Sequence, residues 1–189
     1  EFEYIKSKEN QTIKLISKLQ TSSSARNENK KFVIEGLRLC KDAVINGFFV
    51  DTLVVTESAY NQFMDDVELI SQKANRCILV DNELFVKISD TKTPQGVLCV
   101  CDSFEFEGGI SQLRKGKFIL LENLQDPSNL GAIARTAEAL GIDGIIVDKN
   151  GCDPYSPKSQ RAGMGALLRI PVFVSDSLCD DLKDLKNNG

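Results

Sequence analysis

A chain of 189 residues, with 42% hydrophobic and 26% charged side chains, is long enough for one medium domain or two small ones, each with a core of its own. No apolar run approaches the roughly 18 residues of a membrane span, and the start is charged and polar rather than signal-like, so a cytoplasmic protein is expected. The net charge is −4 and histidine is absent, which removes Ser-His-Asp and Cys-His catalysis and every zinc site built on imidazole.

In chain order, Ile13, Ile16 and Leu19 follow helical spacing, and Thr21-Ser-Ser-Ser leads into a polar, basic connector from Ala25 to Lys31. Strands are predicted at Lys31–Glu35 and Asp51–Thr56, with a helix at Leu37–Asn46 between them, closed by Gly47. A helix over 58–73 follows, then a strand at Cys77–Val80, a short helix at Asn82–Ile88, a polar loop at Ser89–Gln95 and a strand at Gly96–Cys101. Residues 1–101 thus form one α/β domain, and the acidic stretch 102–116, with Gly108-Gly109, is the expected linker.

From 117 to 189 a second unit begins with the apolar strand Lys117–Leu121, the loop Glu122–Ser128 and a helix from Asn129 to Leu140 closed by Gly141. Strands at Asp143–Val147 and Pro171–Val174 and an amphipathic helix at Ser177–Lys186 complete it. Three strands are fewer than the five or six of a doubly wound sheet, and the chain starts with Glu, so a fragment or trimmed chain is expected. Cys40, Cys77, Cys99, Cys101, Cys152 and Cys179 include no CxxC pair; reduced, packed thiols are expected and no metal site.

Charge is unevenly spread: residues 1–41 hold nine Lys or Arg against five Glu, whereas 51–107 hold eleven acids against four bases. This predicts a basic face on an acidic molecule, although an ordinary solvated surface fits the same counts. Arg26, Lys30, Lys31 and Arg38, around the connector and the first helix, are the candidates for phosphate contacts; Lys158 and Arg161, with Arg169, are weaker ones.

The chemistry points to the segment from Leu121 to Gly141. A helix N-terminus at the carboxyl end of a buried strand offers free N–H groups and a positive dipole end, with Asp126 and Ser128 competent to cap it. Asn129 and Arg135 lie off the apolar stripe of Leu130, Ile133, Ala134 and Ala137. Six residues of helix rise about 9 Å, yet helical side chains lean toward the N-terminus, so Arg135 can reach back toward Asn129 and both can converge on a phosphate and its ribose. The alternative pairs Arg135 with a surface acid such as Glu138 and leaves Asn129 a plain cap.

Asp126-Pro127, Asn129, Gly131, Arg135-Thr136-Ala137 and Gly141 resemble the first signature of the SpoU/TrmH-type 2′-O-ribose RNA methyltransferases of the SPOUT superfamily. Tyr155-Ser-Pro-Lys158, Arg161-Ala-Gly-Met-Gly-Ala166 and Arg169-Ile-Pro171 resemble the next block. Phe32-Val-Ile-Glu35-Gly36 and Thr93-Pro94-Gln95-Gly96-Val97 are similar to the ribosomal-protein-like substrate-binding domain of many members. The resemblance implies methyl transfer from S-adenosylmethionine to a ribose hydroxyl, ribosomal RNA ahead of transfer RNA as substrate, a homodimer, Arg135 acting on the 2′-hydroxyl and Asn129 shaping the site.

Two departures stand out. Gly163 replaces a serine of the second block, and the family's last signatures, which form the knotted cofactor loop, are absent. An incomplete Rossmann-like SPOUT domain without its knot is therefore expected, with cofactor residues beyond Gly189. The competing reading is a non-catalytic RNA-binding protein. A small-molecule nucleotide-binding protein ranks last, for want of a GxGxxG or GxxxxGK[ST] loop.

Overall fold

The computed structural model describes residues 1–103, 110, 113 and 115–188, and these form two compact units. The first is Glu1–Ser103 together with Tyr155–Pro157; the second holds the other described residues. Both are mixed α/β, as the sequence predicts.

The first unit is a five-stranded sheet in the order β1 (Phe2–Ile5), β4 (Ala74–Val80), β3 (Val50–Thr56), β5 (Val97–Asp102), β2 (Lys31–Glu35). β1, β4 and β3 run parallel, and β5 is antiparallel to both β3 and β2. Strand alternation feeds two cores. Val33, Val54, Ile78, Leu98 and Val100 meet α1 (Gln11–Thr21) and α6 (Asn82–Ile88) on one face. On the other, Ile34, Cys99 and Cys101 are buried together with Cys40 of α3 (Leu37–Ile45), while Val67 and Ile70 of α5 (Met64–Ser71) are also enclosed. Burial pushes the Cys99 and Cys101 thiols well above the usual range, so they pack as small apolar groups.

Three elements differ from expectation here. β1 was not predicted: of its four residues only Ile5 is buried, so alternation is too weak to read. The polar connector is a helix, α2 (Ser23–Asn29), because Ser22 accepts from the Ala25 N–H and Lys30, at φ 52°, stops it in the left-handed region. The helix over 58–73 is two, α4 (Glu57–Gln62) and α5, separated at Phe63 (φ −125°, ψ 35°).

In the second unit β6 (Phe118–Leu121), β7 (Gly144–Asp148) and β8 (Val172–Ser175) form a parallel sheet in that order. α7 (Pro127–Ala139) lays Leu130, Ala134 and Ala137 on Ile145 and Val147. Two short helices follow, α8 (Pro157–Gly163) and α9 (Ala166–Arg169), neither resolved by periodicity because each is too short; Ala166 and Leu167 of α9, with Ile170 after it, close the same core. Leu178 and Leu185 of α10 (Leu178–Asn187) pack on the opposite face with Ile146 and Phe173. The predicted linker 102–116 falls largely outside the described residues, Gly108-Gly109 included. Its Leu113, however, is buried in that second core, so that part is packed structure rather than tether.

Candidate catalytic site

The loop after β6 turns sharply into α7. Asn123 sits at φ 50°, a left-handed conformation that asparagine tolerates. Asp126 caps the helix by accepting from the Ser128 N–H at 2.8 Å, and Pro127 fills the first position, where no N–H is needed. The loops after β6 and β7 are tied together, since Gln125 Nε2 donates to the Asn150 carbonyl at 2.8 Å and Cys152 N–H to that of Leu124 at 2.6 Å. They rim the carboxyl ends of the parallel strands, where ligands of such sheets bind.

With Asp126 as cap, Asn129 is released from that duty. Its side chain is exposed and makes no hydrogen bond among the described residues. Glu138 likewise does not hold Arg135: it pairs with Arg169, which holds the Glu138 carboxyl below its ordinary pKa. Arg135 is exposed, and its Nη1 lies 3.3 Å from the Met164 thioether, a weak acceptor. The guanidinium therefore keeps its donors for another partner. Its reach is toward the turn between α8 and α9, where the sequence reading looked only to the first turn of α7.

That turn is itself unusual. Met164, half exposed, has φ 50°, and Gly165 follows at φ 90°. A long side chain held at positive φ is a marked local feature, and such strain concentrates at functional sites. Met164 was missed by sequence reasoning; the flanking glycines in Gly163-Met-Gly165 were the available signal. Gly131 brings this segment close, because a Cβ there would lie 2.4 Å from the Ala162 carbonyl carbon.

The six basic residues read as RNA contacts divide. Arg26 is 7% exposed and donates to the Leu19 carbonyl, capping α1 from below instead of facing RNA. Lys31 donates to Asp51 at 2.9 Å and Asp102 at 2.7 Å, so its charge is already matched. Arg161 is half-buried, with its Nη1 enclosed. Lys30, Arg38 and Lys158 are exposed.

Fold and site together define a class: an α/β unit in front of a parallel-sheet unit whose first helix presents an amide and a guanidinium. Residues 10–99 match the MRM3-like substrate binding domain, and residues 116–189 match the SpoU rRNA Methylase family. A relative from Bacillus subtilis (strain 168), the 23S rRNA (guanosine(2553)-2′-O)-methyltransferase RlmP, is 30% identical over 181 residues, which is 95% of this chain and 68% of that protein. An rRNA methyltransferase from Sinorhizobium meliloti, crystallised with AdoMet bound, aligns at TM-score 0.83 and 26% identity, covering 97% of this chain and 68% of the other. A second crystal structure of an rRNA methyltransferase from that organism gives 0.85 and 26%, covering 100% and 70%.

The chain belongs to the SpoU rRNA methylase family, whose members are S-adenosylmethionine-dependent RNA 2′-O-methyltransferases. It spans about two thirds of the length of these relatives.

Three polar pairs lie at the carboxyl ends of β6–β8: Gln125 with Asn123, Lys149 with Asp176, Ser175 with Asp181. Among the described residues they leave no donor set matching an adenosyl group. These residues do not by themselves fit the cofactor.

Proposed function

We propose that this chain orients RNA for ribose 2′-O-methylation of ribosomal RNA. The observation that carries this reading is the state of Arg135: exposed, beside a strained turn, with a thioether as its hydrogen-bond partner while the nearest candidate acid is taken by Arg169.

Methylating a ribose hydroxyl demands in-line alignment of the attacking oxygen. A guanidinium can bind the neighbouring phosphate with two parallel N–H donors and so fix the sugar. Its pKa, above about 12, makes it a poor base, so Arg135 acts by orientation and by stabilising charge on the oxygen. Asn129, on the first turn, donates or accepts at the same nucleotide. Lys30 and Lys158 remain as phosphate contacts; Arg26 and Lys31 leave that set, and so does Arg38, which stands on α3, where with α5 the acids Asp42, Asp65, Asp66 and Glu68 outnumber the bases. The reading extends to a cytoplasmic enzyme, and the family resemblance supports a homodimer.

Arg135→Lys should reduce single-turnover methylation of ribosomal RNA at least a hundredfold while RNA affinity changes less than threefold. Lysine keeps the charge and loses the planar fork. Equal turnover by the lysine variant would remove Arg135 from the site, and the methyltransferase assignment of this geometry with it.

A further inference from the structure

The helical layers on the two faces of the first unit's sheet carry opposite charge. On one, α3 and α5 display Asp42, Asp65, Asp66 and Glu68 against Arg38 and Lys41, and Lys41 is itself bound to Asp66 at 2.6 Å. On the other, α1 and α6 carry Lys14, Lys18 and Lys87 against Glu83 alone. Between α1 and α6 lies a cavity of about 340 Å³ whose wall includes Lys8, Lys14, Lys18 and Lys87, with the Ser17 hydroxyl among them and Ile13 and Leu84 as floor.

The lysines come from three separate segments: the loop before α1, one face of α1 at spacing four, and the last turn of α6. Helix packing through Ile13, Ile16, Leu84 and Ile88 is what brings them together. Lys14 pairs with Glu9 at 2.6 Å, but both side chains are largely solvated, so that pair is weak and exchangeable. Lys18 and Lys87 have no ion pair among the described residues. Four lysines drawn from three segments thus line one concavity of an acidic protein, which makes it a locally electropositive surface suited to an anion.

We propose that this cavity seats the sugar–phosphate backbone of the RNA substrate, so that the α1/α6 face is the docking surface of the first unit. Each lysine is a flexible point charge that neutralises one phosphate without reading sequence. The cavity thus sets where RNA lies and leaves nucleotide choice to other contacts. None of these four residues stood out in the sequence, because only the fold brings Lys87 alongside Lys14 and Lys18. The proposal rests on the reading that the substrate is RNA.

The test is fluorescence anisotropy of the full chain with a labelled ribosomal RNA stem-loop, titrated at several salt concentrations. Lys18→Gln with Lys87→Gln should lower the slope of log affinity against log salt by about 1.4–1.8, the loss of two phosphate contacts at roughly 0.7–0.9 each. A control pair with the same charge change, Lys73→Gln with Lys117→Gln, should leave the slope within about 0.3 of the parent. An unchanged slope in the first pair, or an equal fall in both, overturns the proposal. So does loss of binding to phosphatidylserine vesicles with RNA binding intact, which would make the surface a lipid site. The methyltransferase reading has its own readout in Arg135→Lys, so failure here leaves it standing.

Discussion

Gly131 meets the backbone of Ala162 so closely that a methyl group there would lie 2.4 Å from its carbonyl carbon and 2.6 Å from the oxygen. Backbone cannot give way as a flexible side chain can, so Gly131→Ala should force α7 and α8 apart. The expected cost is roughly 1–3 kcal/mol or more, read as a lower urea midpoint for the second unit. Because Arg135 touches Met164 just beyond α8, the same change should reduce methylation as well. A variant with unaltered midpoint and activity would show that this close approach positions nothing. Gly163 is a different case. A Cβ there would press on Leu167 at 3.0 Å, so a serine at this position needs the buried Leu167 side chain to move.

Elements joined by charge respond to pH in a way their sequence does not announce. Lys31 on β2 reaches Asp51 on β3 and Asp102 on β5 across the sheet. Burial works against the charged form of both Lys31 and Asp51, yet their mutual hydrogen bonds and attraction win: Lys31 titrates above its ordinary value and Asp51 below. The lowered Asp51 contributes stability that is complete above about pH 4 and lost as pH falls through its folded pKa; the raised Lys31 contributes stability complete below about pH 10 and lost as pH rises through its own. Subtracting the unfolding free energy of Lys31→Met from that of the parent should therefore give a plateau from about pH 5 to 9 that shrinks toward both extremes. A difference constant from acid to alkali would mean that charge is not what Lys31 contributes. The same residue shows where sequence reading stops. Its basic character was legible, and so was its place at the start of a strand, but the two acids that claim it are 20 and 71 residues away. Arg26 was misplaced for a related reason: polar residues 23–29 carry no apolar period, and only Ser22 as cap and the Leu19 carbonyl as acceptor make them a helix with its arginine inward. By contrast α7 was legible nearly to the residue, since its cap, proline and apolar stripe are all local signals. The positions of Asn129 and Arg135 on that helix were legible in the same way. Met164 did not, because its proximity to Arg135 spans 29 residues.

At the scale of the whole molecule, each unit carries its own apolar interior. The first is centred on β3 and β5 beneath α1 and α6, the second on β7 beneath α7. Separate cores permit separate unfolding. Leu130, fully buried at the centre of the second core, probes this directly. Leu130→Ala should cost about 2–5 kcal/mol there through lost burial and the cavity left behind. Amide hydrogen exchange should then speed up for β6, β7 and β8, while amides of β3 and β5 keep their parent rates. If exchange accelerates equally in both sheets, the two cores melt as one, and the chain is a single cooperative body in which weakening the ribose-orienting half also loosens the grip on RNA.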